Sequence, residues 1–337
     1  TVTAINPGNN VSGPSTFTIT APAPAVISSL SKTSVTAGDA AFTVTITGTG
    51  FLSSAVVNFG STALATTFVS ATQLTAAVPA NLLMTPNTTV QVTVAQAGTT
   101  SNGIAFTVNL PAAPTLRLNP PTGTGAAQQP TIDFGLNSPY PIPLSGTVTL
   151  TFASNATVPV DDPSIQFASG GRTFSFSVPA NTTTFPALQL STGTVAGTIT
   201  LTVTLTAAGV NVTPSSGATA TIVIGKTAPV ILSGKVKLVH ANGYLEVDVT
   251  GFSTTRDMTQ AVFQLNAAPG GSFTSSTITV PISTIFTTWY QSAASATFGG
   301  QFTYTQPFTV IGDTNQVQSV TVTMTNSAGT SISMTSN

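Results

Sequence analysis

The sequence predicts an all-β protein made of tandem β-sandwich domains. The chain is rich in Thr, Val and Ser, and it contains 28 Gly and 23 Pro. Residues branched at Cβ favour strands, whereas Gly and Pro favour turns. Many segments alternate apolar residues with Thr, as residues 198–206 do. This two-residue period is typical of half-buried strands, and we find no convincing helical period apart from a short turn near residues 81–84.

The strand pattern recurs at short spacing along the whole chain, with turn residues between the segments. Regular short strands of this kind are typical of immunoglobulin-like sandwiches. The predicted strands include residues 42–46, 56–59, 90–94, 104–108, 147–152, 198–205, 219–224, 244–249 and 319–324.

Proline-rich linkers divide the chain, because proline stiffens a linker and prevents a strand from continuing. They lie at residues 21–24, 110–114 and 226–229. Each resulting domain has about the size of an immunoglobulin-like sandwich. The predicted divisions are an N-terminal segment at 1–22 and domains at 25–109, 114–226 and 228–337.

Composition excludes several classes of function. Only 4% of the 337 residues are charged, with seven Lys and Arg against eight Asp and Glu. This number of cations is too small for a nucleic-acid surface or a polybasic membrane anchor. Without Cys, and with His240 as its one His, the chain lacks the residues of thiol catalysis, zinc fingers and disulfides. No run of 18 apolar residues predicts a membrane span, and no cofactor is implied.

The acidic residues are scattered over the predicted domains, and no Gly-x-Ser-x-Gly nucleophile motif occurs. His240 stands beside an Asn-Gly turn, where we expect an exposed loop tip. We therefore predict that the protein is not an enzyme. The acidic set is Asp39, Asp133, Asp161, Asp162, Glu246, Asp248, Asp257 and Asp313.

Residues 25–109 carry an ordered set of motifs, which includes Gly-Thr-Gly-Phe at 48–51, Val-Asn-Phe-Gly at 57–60 and Phe-Thr-Val at 106–108. In this order the motifs resemble the IPT/TIG family of immunoglobulin-like domains. The resemblance implies a small sandwich that serves as a spacer or interaction module and has no catalytic residues. We expect Gly48 and Gly50 to adopt backbone angles closed to other residues, with Phe51 capping the core. A phosphate-binding loop is disfavoured, because no helix pattern follows.

Residues 1–20 look like the last two strands of another IPT/TIG domain. Val-Thr-Ala at 2–4 and Phe-Thr-Ile at 17–19 match Val-Thr-Val at 92–94 and Phe-Thr-Val at 106–108. An isolated hairpin is marginally stable in water. One explanation is that the chain is a processed or truncated product. The other is donation of the hairpin to a neighbouring subunit, which predicts a homopolymer held by Val2, Ile5, Phe17 and Ile19.

The second and third domains carry candidate binding residues. The second domain resembles repeat-type immunoglobulin-like modules of large secreted bacterial proteins, and the third domain resembles C-terminal modules of such proteins. Asp161 and Asp162 are either a calcium site or, as we prefer, solvated loop charges. Asn242-Gly243 predicts a hairpin, in which Lys235, Lys237, Glu246 and Asp248 form cross-strand pairs on an exposed face.

Adjacent aromatic residues, Trp289 and Tyr290, are expected to divide between core and surface. An exposed ring there could stack on a carbohydrate, although a core or interface anchor is the preferred interpretation. Five sequons and the exposed Thr rows make glycans possible partners. The sequons begin at Asn10, Asn87, Asn155, Asn181 and Asn211.

These observations favour a structural subunit of a bacterial extracellular filament or surface layer, which assembles through β-strand contacts between subunits. Low charge supports this interpretation, because uncharged sheet edges tend to pair unless an assembly or glycans cover them. The alternative is an adhesin stalk or carbohydrate-binding stalk of a larger secreted protein.

Overall fold

The computed structural model describes residues 3, 5, 7–8, 11–18 and 23–336. It divides into two compact units, Thr1–Ala112 and Ala113–Asn337, and each is described here by itself. Both units consist of mainly antiparallel sheets with few helical residues, which confirms the all-β, immunoglobulin-like prediction; the exception is the parallel pair of β2 and β10.

The first unit contains two sheets packed face to face. One sheet has the order β1-β3-β7-β6, and the other has the order β2-β10-β8-β4-β5, with β9 paired to β8. The strands are β1 (Val26–Leu30), β2 (Ser34–Thr36), β3 (Phe42–Thr49), β4 (Val56–Phe59), β5 (Thr62–Ala63), β6 (Ala65–Ser70), β7 (Gln73–Val78), β8 (Thr88–Gln96), β9 (Thr99–Thr100) and β10 (Ile104–Asn109). A short 3₁₀ helix, Ala80–Leu83, lies at the turn predicted near residues 81–84.

The Gly-Thr-Gly-Phe turn at the end of β3 uses its two glycines differently. Gly50 has a φ of 76°, as expected. Gly48 does not have a positive φ, and the prediction was wrong for this residue. It is needed instead for close approach, because a Cβ at Gly48 would lie 2.2 Å from the carbonyl oxygen of Val26. Phe51 is buried at the end of the core, as predicted.

The N-terminal segment is only partly a hairpin. An antiparallel bridge joins Ile5 to Val11 around a turn that contains Pro7 and Gly8. Phe17 and Thr18 belong to no strand, whereas the matching Phe106 and Thr107 lie in β10, which pairs with two neighbouring strands. The sequence pattern is the same, but apart from isolated bridges at Ile5, Val11 and Ser15, the described residues of this segment belong to no sheet. Val2 and Ile19 lie outside the described residues.

The first half of the second unit is a sandwich of two sheets. Their orders are β11-β12-β16-β14 and β15-β13-β17-β18, with β19 paired to β17. The strands are β11 (Leu116–Asn119), β12 (Thr131–Leu136), β13 (Leu144–Ser154), β14 (Ile165–Phe167), β15 (Thr173–Val178), β16 (Leu188–Thr192), β17 (Gly197–Ala207), β18 (Val210–Asn211) and β19 (Thr219–Ile224).

The β13–β17 ladder shows why the apolar–Thr alternation is informative. Val148 pairs with Val203 on the buried face, and Thr147 pairs with Thr204 on the exposed face. The hydroxyls of this threonine pair lie 2.6 Å apart. The two-residue period of each strand thus produces one apolar and one hydroxylated face.

The second half of the unit pairs a three-stranded sheet, β20-β21-β24, with a sheet of order β23-β22-β25-β26, in which β27 also pairs with β25. Asn242-Gly243 joins β20 and β21 as the predicted two-residue turn. The strands are β20 (Val230–Ala241), β21 (Tyr244–Phe252), β22 (Gln260–Ala267), β23 (Thr277–Pro281), β24 (Gln301–Thr309), β25 (Val317–Asn326), β26 (Gly329–Thr330) and β27 (Met334–Thr335).

A helical segment in this half contradicts the expectation that helices are absent. Helix α1 (Ser283–Gln291) is followed by a 3₁₀ helix at Ala293–Phe298, and another 3₁₀ helix covers Thr314–Gln316. Phe286 and Tyr290 are four residues apart and both face the core. The helix therefore forms because one turn brings its aromatic residues onto a single buried face.

The corresponding sheets of the three sandwiches differ in one respect. The sheets β1-β3-β7-β6 and β11-β12-β16-β14 have four strands, whereas β20-β21-β24 has three. Strands β6 and β14 occupy the fourth position in the first two sheets. Among the described residues no strand occupies that position beside β24.

We predict that Gly48→Ala lowers the free energy of unfolding of the first unit by about 1–3 kcal/mol, because the new methyl group must displace backbone. Gly13→Ala in the same unit is the matched control, since no atom lies within 4 Å of its Cβ position. Urea unfolding followed by circular dichroism tests the difference. Equal stability of the two variants would contradict the proposed close approach.

Candidate functional site

The second unit contains a fully buried arginine. Arg256 follows β21 in a turn where residues 253–256 are all buried, and its side chain is 1% exposed. Its φ of 52° is unusual for a non-glycine residue, so the surrounding contacts must hold it in place. Burial lowers the pKa of the guanidinium, and the nearby Tyr290 ring and Asp162 carboxylate oppose this shift.

The guanidinium of Arg256 donates to several elements at once. Its Nε donates to the carbonyl of Val158 at 3.0 Å, and Nη2 donates to the carbonyl of Tyr290 at 2.7 Å. Nη2 also donates to the Ser295 hydroxyl, and Nη1 donates to the carbonyl of Gly299. The group thereby links β21 to the loop after β13, to α1 and to the 3₁₀ helix that follows α1.

Asp162 lies on the other side of this joint. Its carboxylate accepts from the backbone N–H of Thr194 at 2.6 Å and from the Ser164 hydroxyl at 2.5 Å. A Cβ at Gly299 would lie 2.6 Å from the same carboxylate, and the Gly300 N–H donates to the Thr194 hydroxyl. The two sandwiches of the second unit therefore meet through satisfied polar groups.

Asp257 adds a second connection across the joint. It accepts from the hydroxyls of Thr157 at 2.9 Å and Thr255 at 2.5 Å. Burial opposes ionisation of this carboxyl group, but hydrogen bonds from Thr255, Ser327 and Thr157 outweigh it and lower the pKa. Direct backbone bonds run beside it, from Thr157 to Thr255 and from Ala196 to Thr254.

Tyr290 belongs to the same arrangement. The Arg256 guanidinium lies 4.7 Å from the centre of its ring, and its hydroxyl donates to the carbonyl of Gly300 at 2.9 Å. Burial raises the pKa of this hydroxyl. These contacts fix the helical segment beside β24, on the side where the other sandwiches have a fourth strand.

The outer edge of β24 is consequently open among the described residues. The N–H of Val310 donates to Gly243, and the carbonyl of Gly300 accepts from Ser253. Because antiparallel bonding alternates, the even-numbered residues of β24 bond to β21. The backbone groups of Gln301, Thr303 and Thr305 thus point away from β21. Pro307, which cannot donate, fits an edge strand.

An apolar cavity of about 540 Å³ adjoins this edge. Ile285 and Phe298 on its wall are 56% and 51% exposed. The Nε1 atom of Trp289 is buried and has no hydrogen-bond partner among the described residues. The wall consists of Thr250, Ile285, Phe286, Trp289, Phe298, Gln301, Phe302, Thr303 and Tyr304, and none of these side chains is charged.

The structure treats the two candidate calcium ligands differently. Asp161 is exposed and forms a 2.6 Å ion pair with Arg172. Asp162 is buried and hydrogen-bonded, so the preferred interpretation of two solvated charges was wrong for this residue. Across the described residues, no group of three or more His, Cys, Asp or Glu side chains is arranged to hold a metal ion.

The predicted charge pairing on the β20–β21 hairpin is only partly present. Lys237 faces Asp248, but Glu246 faces Val239, and Lys235 lies in an irregular part of the pairing. That irregularity, between Ile231 and Val236, shifts the register of the first strand.

The remaining candidate residues divide between surface and core. His240 is exposed as predicted, although its ring also contacts the Val317 carbonyl. Tyr290 is in the core as expected for one of the pair, but Trp289 is partly buried against that core rather than on the surface, because both residues lie in α1 and not in an extended segment. Ile5 and Phe17 are 64% and 61% exposed. The sequon residues Asn87, Asn155, Asn181 and Asn211 are exposed, and Asn10 lies outside the described residues.

Sequence reasoning missed Arg256 and the helical segment. The helix had a signal, since residues 285–286 and 289–290 are aromatic or aliphatic at helical spacing. Arg256 had none, because its partners are backbone carbonyls, which every sequence contains. None of the described helices is long and apolar enough to span a bilayer.

Residues 25–108 match the family described as the IPT/TIG domain, which confirms the resemblance predicted for this part of the chain. The match spans residues 25–108, so the partial repeat at residues 1–20 stays a prediction. No curated protein matches the chain.

Two solved structures are similar over most of the chain. Chicken CNTN1 FN1-FN3 domains are 12% identical and cover 94% of this chain and 100% of that one, with a TM-score of 0.20. Domains A168-A170 from titin are 13% identical and cover 94% and 98%, with a TM-score of 0.29. Because both TM-scores are low, these likenesses carry no argument, and the immunoglobulin-like architecture is assigned from the strand order of the sheets.

We predict that Arg256→Met lowers the free energy of unfolding of the second unit by about 3 kcal/mol or more, because several buried carbonyls lose their donor. Arg117→Met is the control. Its pair with Asp133 is exposed to solvent, so its loss should change the stability much less. Trp289 is the single Trp and lies in this unit, so its fluorescence reports the transition. Equal effects of both substitutions would contradict the role of Arg256.

We predict that Asp257→Asn destabilises the second unit by about 1 kcal/mol at neutral pH, a value discounted for partial solvent exposure. A lowered carboxyl pKa stabilises the fold above the unfolded pKa of about 3.9, and this contribution is lost as the pH falls through the folded pKa. The difference between wild type and variant therefore narrows below about pH 4. Urea titrations across pH test this, and a pH-independent difference would contradict it.

Proposed function

We propose that the protein is a structural subunit of a bacterial extracellular filament or surface layer, in which neighbouring copies are joined by β-strand contacts. The observation that carries this proposal is the exposed apolar character of the N-terminal segment, at Ile5, Val11 and Phe17. Tandem immunoglobulin-like domains suit a structural or stalk-like extracellular module, and the IPT/TIG match agrees with a spacer role.

The low charge of the chain supports assembly. A net charge of −1 over 337 residues provides little repulsion between copies. Apolar side chains and strand backbone gain more from pairing with another sheet than from remaining in water. A head-to-tail contact of this kind does not close on itself and extends into a fibre.

The joint around Arg256 supports a load-bearing role. It fastens two sandwiches through hydrogen bonds that include direct backbone contacts. A rigid joint lets a subunit transmit tension without bending between its domains. Glycans on the exposed sequons would add solubility before assembly.

The alternative of a carbohydrate-binding or adhesin stalk depends on an exposed aromatic surface. Tyr290 is in the core, which leaves Trp289, Phe298 and Gln301 at the cavity. Saturable binding on a glycan array, lost in Trp289→Ala, would favour this alternative over the structural role.

Removal of residues 1–22 tests the proposed function. We expect the full chain to form polymers in negative-stain images and in sedimentation, and the shortened chain to remain monomeric with an unchanged unfolding transition of the second unit. The exposed apolar segment is then the cause of assembly. Polymers that persist after the deletion would exclude donation of the N-terminal segment as the cause of assembly. A full chain that never polymerises would overturn the filament function.

A further inference from the structure

We infer that the open edge of β24 is the acceptor for the N-terminal segment of a second copy, which adds the missing fourth strand to the sheet β20-β21-β24. This inference rests on the proposed assembly and names the surface that takes part in it. The segment around Phe17 is the donor, and the apolar cavity beside β24 receives its side chain.

The first argument is the strand count. Strands β6 and β14 complete the equivalent sheets of the other two sandwiches, whereas the described residues leave the position beside β24 without a strand. The chain segment that could have supplied this strand is helical instead, and the bond from Arg256 to the Tyr290 carbonyl holds it in that conformation. The vacancy is thus built into the fold.

The second argument is the polarity of the backbone at the edge. The outward N–H and C=O groups of Gln301, Thr303 and Thr305 form a template for one more antiparallel or parallel strand. Adding a strand satisfies these groups with the main chain of the donor, so the contact requires no particular side chains for its hydrogen bonds.

The third argument is the chemistry of the cavity. Its wall is apolar and uncharged, and residues 11–20 are also uncharged, with apolar side chains at Val11, Phe17 and Ile19. In a strand beside β24, one side chain in two would point toward the core side of the sheet. Placing Phe17 there covers Ile285 and Phe298, whose side chains are 56% and 51% exposed.

The same alternation places Thr16 and Thr18 on the opposite face of the donor strand, in line with Thr303 on β24. The hydroxyl of Thr303 lies 3.2 Å from that of Thr250 on β21, and both residues also line the cavity. The exposed face of the completed sheet would then carry a row of threonines, as the separate β13–β17 ladder does. The donor pattern therefore agrees with both faces of the acceptor.

Disulfide trapping tests the contact directly, because the chain has no cysteine. Thr18→Cys combined with Thr303→Cys should give a ladder of oligomers on a non-reducing gel after mild oxidation, with Thr16→Cys as the neighbouring register. The single variants should stop at dimers. Thr18→Cys with Ser175→Cys is the matched control, because Ser175 is exposed on β15, another edge strand. Equal ladders from both pairs, no ladder, or an internally cross-linked monomer would overturn the inference.

A second measurement separates this inference from the proposed function. Ile285→Glu and Phe298→Glu change exposed side chains, so folding is retained, and each should reduce polymer mass at fixed concentration by at least about tenfold, which corresponds to 1.4 kcal/mol. Val223→Glu on β19, 63% exposed, is the control and should polymerise like wild type. If the Glu variants polymerise normally while removal of residues 1–22 abolishes assembly, the acceptor lies elsewhere and the filament function stands.

Discussion

The buried guanidinium of Arg256 is the constraint on which the second unit depends. One charged group, fully removed from water, is satisfied by carbonyls from the loop after β13, from α1 and from the segment before β24. An isolated buried charge is costly, so these partners cannot be released one at a time. The interaction therefore sets the arrangement of two sandwiches and one helical segment together.

The open edge of β24 follows from that constraint. A chain segment between β23 and β24 that is fixed as a helix cannot also be a strand. Within the part of the chain that the structure describes, the sheet is left with one edge of unpaired backbone groups and a cavity lined by Trp289 and Phe298. Proteins usually protect such an edge with charge, and here the cavity wall is uncharged. Pro307 protects one end, which leaves the part beside the cavity available.

Sequence alone predicted most of the architecture because half-buried strands alternate apolar and polar residues with a two-residue period. The alternating residues 198–206 lie in β17 and pair with β13, and Asn242-Gly243 forms the turn between β20 and β21. The IPT/TIG motifs identified residues 25–108 for a similar reason, since Gly48, Gly50 and Phe51 serve local geometry. Strand alternation, hairpin turns and the IPT/TIG motifs all depend on residues that are close together in the chain, and these can be read directly from the sequence.

The candidate site could not be predicted in the same way, because its parts are distant in sequence. Arg256 and Val158 are brought together only by the packing of two sandwiches, and a carbonyl acceptor has no signature in the sequence. A missing strand is still harder to recognise, since it is defined by comparison between sheets. The sequence did display the donor, in the apolar pattern of residues 1–20. One chain therefore contains both an exposed apolar segment, at Ile5, Val11 and Phe17, and a sheet that lacks the fourth strand present in its counterparts, and these two features are the proposed donor and acceptor.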